Sequence, residues 1–305
     1  MARAGRQLNL NGVLASAITP HRGDTPEADF SGFLDLLDFL AKAGVRGISL
    51  FGSTGEFFNY SFPERQRVVY LGAKRSRVPL IAGVSHSTLS GAIQLATEAI
   101  SSGADGLLLM PPWFYRYAQA EIEEFYRQFA REVSGAVPVL LHNHPQFTTP
   151  LEIPTVRRLA DTGLFAGIDD CGADPQFFSQ LLDLKRERPF AVLAGNERIA
   201  AQALQEGADG ILSGCACAVP ELMVALAQAI ASGDRPRTAA LNCRLLEFVS
   251  WTEKFPTPVA IKRAVALRKQ KSGAELNPLS PATTLLLEEF SAWFVKWLII
   301  SWLNS

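Results

Sequence analysis

Two acidic side chains, Asp169 and Asp170, directly follow the apolar run LFAGI. The run has the length and composition of a buried strand, so the acids are expected at its tip. A second apolar run ends in His142, and His144 follows two residues later. Histidine exchanges a proton near neutral pH, and a carboxylate can orient it or share a divalent metal ion with it. The candidate chemistry is proton transfer or metal binding, provided that the fold brings these strand ends together.

The elements that would position these residues follow from a repeated unit. AGVRGISLF, SGADGLLLM and EGADGILSG, which begin at residues 43, 102 and 206, each follow an amphipathic helical pattern. Each has glycine at its second position, where a helix ends, and then turns into an apolar run. Runs that are apolar on both faces are typical of parallel strands covered by helices.

With this unit, eight strands and eight intervening helices can be placed along the chain. The strands are expected at about 13–18, 46–51, 79–84, 106–110, 137–142, 164–168, 190–194 and 209–213. This regular alternation predicts an α/β fold, a (β/α)₈ TIM barrel, with a doubly wound sheet as the alternative. The strand pattern then stops, so we predict a barrel over 1–235 and a C-terminal helical appendix over 236–305.

The composition of the chain limits the classes of molecule that it can be expected to bind. The 305-residue chain has a formal net charge of −1, which gives no bulk attraction to nucleic acid or to an acidic membrane. Four cysteines in a chain of this length are not a disulfide framework, and we expect a reducing, cytoplasmic location. The apolar C-terminal segment is too short to span a bilayer. Its excess of apolar side chains from Trp293 to Leu303 predicts a homodimer or a homotetramer.

In such a barrel the chemistry sits at the C-terminal ends of the strands. All four histidines of the chain, His21, His86, His142 and His144, fall at these predicted ends. Polar residues collect at any barrel mouth, however, so a purely structural role stays open for each of them.

The segment GSTGEFFNYSFPER at 52–65 resembles the G-T-T-G-E signature of the dihydrodipicolinate synthase / N-acetylneuraminate lyase family. The resemblance continues, in the same order, through ITP, GADGLLLMPP, NHP, FAGID, LAGNE, GILSG and PTPVAIK, and covers nearly the whole chain. It implies a (β/α)₈ enzyme with C-terminal helices, often tetrameric, that acts on a small 2-oxo acid as a carbon–carbon lyase or synthase of the aldolase type.

The resemblance also implies catalytic groups that this chain lacks. The family places its Schiff-base lysine at the end of the sixth strand in G-I-K, where this sequence has Gly167-Ile168-Asp169. His142 stands at the position of the family's catalytic tyrosine. Phe147 aligns with an arginine that often binds a substrate carboxylate. A carboxylate cannot form an imine, so the chain resembles a divergent member without Schiff-base catalysis, and we expect no covalent adduct with pyruvate.

Other positions are expected to contact the substrate. Ser53 and Thr54 keep the family's carboxylate-binding loop, and Phe114 takes one position of a tyrosine pair after the fourth strand. Asn196 and Ser213 come from the ends of the seventh and eighth strands. We expect a small 2-oxo acid or another carboxylate as the ligand.

Three functions remain open from the sequence. A lyase could use a divalent metal held by His142, His144 and Asp169, although no cofactor is expected by default. His142 could act as a general base with Asp169 as its partner, which requires their side chains to approach each other. The chain could also be a non-catalytic carboxylate-binding or regulatory protein on a degenerate lyase scaffold. A chelate of Cys171, Cys215 and Cys217 is a further, weaker metal candidate.

Overall fold

Eight parallel strands close into a barrel in chain order, as the sequence predicts. The computed structural model describes residues 8–303 apart from Asp24, Pro26 and Ser134, with side chains described up to residue 299. The strands are β1 Gly12–Ser16, β2 Gly47–Leu50, β3 Leu80–Gly83, β4 Gly106–Leu109, β5 Val139–Asn143, β6 Gly167–Asp170, β7 Ala191–Ala194 and β8 Gly210–Ser213.

Helices cover the outside of the barrel and continue beyond it. They are α1 Phe30–Lys42, α2 Phe62–Arg75, α3 Leu89–Ser102, α4 Gln119–Val133, α5 Ile153–Ala160, α6 Pro175–Glu187, α7 Ala200–Glu206, the short α8 Cys215–Ala218, α9 Pro220–Ala231, α10 Arg235–Thr252, α11 Val259–Leu267 and α12 Pro281–Leu303. The repeated unit explains the regularity, since Gly44, Gly103 and Gly207 have φ of 93°, 95° and 107°. This left-handed conformation at a helix end favours glycine.

The barrel interior contains a separate apolar layer. It consists of the buried side chains Leu14, Ile81, Leu108, Leu140, Leu193 and Leu212. Leu108 and Leu212 also line the cavity at the C-terminal end of the barrel. The layer therefore forms the floor of that cavity, while a larger apolar core fills the space between strands and helices.

β6 lies further along the chain than the pattern predicts. Asp169 and Asp170 belong to the strand itself, paired with His142 and Asn143 of β5, and are not in the loop after it. The strand begins only at Gly167, where a Cβ would lie 2.4 Å from the carbonyl oxygen of Ala191. Leu164, expected inside the strand, is instead 38% exposed. Apolar content alone placed the strand too early, because pairing with β5 decides its ends.

The C-terminal helices form one aromatic cluster, in which Phe248 of α10 packs on Phe290, Phe294 and Trp297 of α12. Part of the apolar tail is therefore covered within the chain, while Val295 and Ile299 remain exposed. The side chains at 300, 302 and 303 lie outside the described set. Oligomerisation and a domain division at residue 235 stay predictions. None of the described helices is long and apolar enough to cross a membrane.

Candidate active site

A cavity of about 420 Å³ opens at the C-terminal end of the barrel. His142, His144, Asp169 and Cys171 line it from β5 and β6, and the loop at 52–54, with Asn196 and Glu197, lines the opposite and neighbouring sides. The α10–α11 connection contributes too, through residues between Val249 and Ile261. The sequence pattern predicts a site built from strand ends alone. It contains no signal that the C-terminal helical appendix covers the mouth of the barrel.

His142 and Asp169 form a direct pair. The Nδ1 atom of His142 lies 2.7 Å from Oδ2 of Asp169, and both side chains are buried. The predicted approach of these two residues is confirmed. The parallel register that pairs them across β5 and β6 produces it. Because an ionised carboxylate only accepts hydrogen bonds, Nδ1–H donates and Nε2 carries the lone pair. That Nε2 atom has no partner among the described residues.

Asp170 is bound into the wall of the barrel. Its Oδ1 accepts hydrogen bonds from Nδ2 of Asn143 at 2.6 Å and from the backbone N–H of Gly172 at 3.3 Å. Asn143 in turn accepts from the backbone N–H of Leu151 through its side-chain oxygen. Burial raises the pKa of Asp170 to about 6, in spite of these hydrogen bonds. The second acid therefore tethers β5, β6 and the loop before α5.

His144 also lines the cavity, on the same face of the chain as His142. Their ring centroids are 5.6 Å apart, and the ring of Phe147 lies 4.3 Å from that of His144 on its other side. Burial, and next the charge of His142, lower the pKa of His144 to about 3. His144 is therefore neutral at physiological pH.

The predicted carboxylate-binding loop borders the cavity through Ser53 and Thr54. The loop is tightly wound, since the N–H of Gly55 donates to Gly52 O at 3.0 Å and that of Glu56 donates to Ser53 O at 3.1 Å. A Cβ at Gly55 would lie 2.9 Å from the backbone nitrogen of Phe51. The two hydroxyl side chains are thus held at the mouth by backbone geometry. Their contact with a ligand stays a prediction.

The other predicted substrate contacts divide into two groups. Asn196 lines the cavity, although its amide nitrogen donates to Gly172 O and its oxygen accepts from Arg198 N. Ser213 is fully buried, is not among the cavity-lining residues, and donates to Glu197 at 2.7 Å. Phe114 is 85% exposed with φ of 83° and is not among the cavity-lining residues. The structure brings only Asn196 of these three to the cavity.

The metal candidates are also rearranged. Among the described residues, one group of three donors has ligand atoms within 4.8 Å of one another: His142, Asp169 and Cys171. Cys171 thus takes the place in the donor group that is predicted for His144 from the sequence. Cys215 and Cys217 do not join that group. His86 instead accepts from the N–H of Thr88 at the start of α3.

A buried lysine lies behind the carboxylate-binding loop. Lys262 of α11 is fully buried, with its Nζ 2.9 Å from Ala274 O, 3.1 Å from His21 Nε2 and 3.4 Å from Glu56 Oε2. Glu275 lies 3.7 Å away. Lys262 is not among the cavity-lining residues, and no other described lysine or arginine is. The sequence placed Lys262 in the appendix but gave no sign of this cluster.

With the site described, the chain can be compared with known proteins. Residues 9–295 match the model of the dihydrodipicolinate synthetase family. The chain belongs to this family.

Relatives of the family extend over almost the whole chain. A 4-hydroxy-tetrahydrodipicolinate synthase of Methanothrix thermoacetophila is 30% identical, over 88% of this chain and 91% of its own length. An uncharacterised DapA-like lyase of Halobacterium salinarum is 31% identical, over 90% of both chains. Among solved structures, a prophage protein of this family from E. coli K12 in complex with pyruvate has a TM-score of 0.86 and 26% identity. That match covers 94% of this chain and 98% of the other.

Proposed function

We propose that this protein is an aldolase-type carbon–carbon lyase that acts on a small 2-oxo acid without forming an imine. In this proposal His142 moves the proton and Asp169 holds its ring. Ser53 and Thr54 bind the substrate carboxylate. The observation that carries the proposal is the 2.7 Å contact between His142 Nδ1 and Asp169 Oδ2 at the edge of the cavity.

The pair has the properties of a general base with its orienting group. Asp169 fixes the ring tautomer, so the lone pair is on Nε2, which has no partner among the described residues. When Nε2 takes up a proton, the carboxylate at 2.7 Å stabilises the imidazolium ion. Because Asp169 is fully buried, water does not screen this interaction strongly.

The proton movements of a cleavage reaction can be written with these residues. Nε2 of His142 removes the hydroxyl proton of an aldol-type substrate, and the carbon–carbon bond breaks to leave an aldehyde and the enolate of a 2-oxo acid. The imidazolium ion then returns the proton to the enolate carbon. The reverse sequence forms the bond, beginning with removal of a proton from the carbon next to the 2-oxo group.

A relative solved with pyruvate supports a 2-oxo acid as ligand. The absence of lysine among the described lining residues supports a route without an imine. An imine requires a neutral amine at the carbonyl carbon. Lys262, the one fully buried lysine in the described part of the chain, is occupied by His21, Glu56 and Glu275.

A non-catalytic carboxylate-binding protein is the second candidate. Phe147, at the position where the resemblance implies an arginine, packs on His144 and offers no charge to a second carboxylate. A protein that had kept Ser53 and Thr54 for binding alone would show this combination.

Exchange of pyruvate methyl hydrogens for deuterium, followed by NMR in heavy water, separates these functions. The wild type should catalyse exchange, and His142→Gln should lower the rate by about 10²–10⁴-fold. His86→Gln is the matched control, since His86 lies outside the cavity lining and should leave the rate unchanged. An unaltered rate in His142→Gln would contradict the proposal. Saturable pyruvate binding without exchange in the wild type would support the binding protein.

A further inference from the structure

The cavity is lined by a buried carboxylate, that of Asp169, and by no described side chain with a permanent positive charge. Asp169 and Asp170 are both fully buried at the end of β6, and no described lysine or arginine lines the cavity. Asp170 is hydrogen-bonded by Asn143 and Gly172. Asp169 has His142 and the weakly donating Cys171 thiol on Oδ2, while its Oδ1 is buried with no partner among the described residues. An unpaired buried carboxylate oxygen is costly, so it indicates a missing positive partner.

A thiol completes the surroundings of that carboxylate. The Sγ atom of Cys171 lies 3.7 Å from Asp169 Oδ2, and the ligand atoms of His142, Asp169 and Cys171 all lie within 4.8 Å of one another. The backbone fixes Cys171, because its N–H donates to Asn143 O at 2.9 Å. All three donors therefore stand on paired strand ends and not on a long loop.

The backbone that follows β7 passes close to these atoms. A Cβ at Gly195 would lie 2.5 Å from Cys171 Sγ and 2.7 Å from Asp169 Oδ1. Both distances are too short for any side chain, so glycine alone lets the backbone pass this close to the two donors. The observation that points to a ligand is the pair of buried polar atoms without a partner among the described residues, Asp169 Oδ1 and His142 Nε2.

We propose that His142, Asp169 and Cys171 bind a divalent ion of the zinc class. One nitrogen, one oxygen and one sulfur donor suit Zn²⁺ or Co²⁺ better than Mg²⁺ or Ca²⁺, which prefer oxygen ligands. Three protein ligands leave a fourth position open, the arrangement of sites that bind water or substrate. All three donors line the cavity that Ser53 and Thr54 border, so a ligand in the cavity can take this position.

In the metal-bound state, bonds to the ion take the place of the hydrogen bond between His142 and Asp169. Two ligands of one tetrahedral ion stand roughly 3.3 Å apart, since each bond is about 2.0–2.2 Å long. The 2.7 Å between Nδ1 and Oδ2 must therefore widen when the ion binds, unless Asp169 offers its unpartnered Oδ1 in place of Oδ2. The metal-free protein keeps the proton-transfer pair, and the loaded protein is a second state of the same residues. This proposal therefore does not rest on the proton-transfer mechanism.

The test is a titration of the full, metal-free chain with Co²⁺, followed by absorption spectroscopy. A thiolate ligand gives a charge-transfer band in the near ultraviolet, which carboxylate and imidazole ligands do not give. We expect one equivalent of Co²⁺ with this band, and Zn²⁺ should displace it. Cys171→Ser should remove the band and weaken binding at least about tenfold, and Asp169→Asn should weaken binding similarly.

Cys215→Ser is the matched control, because Cys215 lines the same cavity but lies outside the donor group. It should keep the band. Circular dichroism and melting temperature of the metal-free variants confirm that they fold. A wild type that binds no Co²⁺, a band that persists in Cys171→Ser, or a band lost in Cys215→Ser would each overturn the site. Deuterium exchange by the metal-free protein reports on the proton-transfer proposal separately.

Discussion

Two buried clusters of charge near the mouth of the barrel differ in one respect. Around Lys262, a fully buried ammonium group faces Glu56, Glu275 and His21, so the cation and its partners are both present. At the other cluster the buried carboxylate of Asp169 faces His142, the buried Asp170 lies next to it in β6, and no described lysine or arginine lines the adjoining cavity. In the first cluster the protein's own groups neutralise the buried charge. In the second, the buried negative charge is neutralised only by a proton or by a bound cation.

The difference separates a cluster that stabilises the fold from one that can still take up a proton or a ligand. A balanced buried network holds elements together, here α11, the loop after β2 and the segment at 272–275. An unbalanced one stores an unfavourable free energy that a ligand or a proton can relieve. The loop at 52–56 joins the two clusters, because Ser53 and Thr54 line the cavity while Glu56 faces Lys262.

Removal of the cation from the balanced cluster should have the largest effect. Lys262→Met keeps the length of the side chain but leaves Glu56 buried without its charge partner. The free energy of unfolding should fall by about 3–5 kcal/mol, measured by urea denaturation. Lys271→Met is the control, since Lys271 pairs with Asp29 at the surface and should change stability by less than about 1 kcal/mol. Equal losses for both variants would remove the distinction between the clusters.

Removal of a charge from the unbalanced cluster should stabilise the protein, whereas removal of Lys262 destabilises it. Burial raises the pKa of Asp170 from 3.8 to about 6. The folded protein is therefore favoured while Asp170 is protonated, and it loses this contribution as the pH rises from about 4 through 6. Asp170→Asn keeps an acceptor for Asn143 and should raise the free energy of unfolding by about 2–3 kcal/mol at pH 8, with no gain near pH 4. A loss at pH 8 would show that the ionised form is stabilised.

A substitution in the loop at 52–56 should have the smallest effect, and it should change only the affinity for the ligand. Thr54→Val keeps the shape of the side chain and removes one hydroxyl at the cavity. Affinity for pyruvate should fall by roughly 1 kcal/mol, about fivefold, in isothermal calorimetry. Thermal stability should change little, because the Thr54 hydroxyl donates no hydrogen bond to any of the residues that the structure describes. Unchanged affinity would mean that the carboxylate binds elsewhere in the cavity.

Much of this could be predicted from the sequence. Glycine at three helix ends, followed each time by an apolar run, predicts the barrel. The parallel register of β5 and β6 predicts that His142 lies beside Asp169. The metal-donor group, by contrast, depends on where the side chains just beyond the strands point. His144 turns to Phe147, and Cys171 turns to Asp169. Spacing along the chain does not determine these directions.

The contribution of the helical appendix could not be predicted either. The residues between Val249 and Ile261 line the cavity because α10 and α11 fold back over the mouth. Lys262 enters its cluster through the same packing, from 241 residues away from His21 along the chain. Contacts at such separation leave no periodic pattern in the sequence.

The central claim is that His142 and Asp169 handle the proton without a covalent intermediate. Borohydride reduction in the presence of pyruvate, followed by intact mass measurement, tests it most directly, since reduction fixes any imine on a lysine permanently. A preparation that catalyses deuterium exchange into pyruvate should show no mass increase. A stoichiometric increase on a single lysine, mapped by peptide digestion, would contradict it.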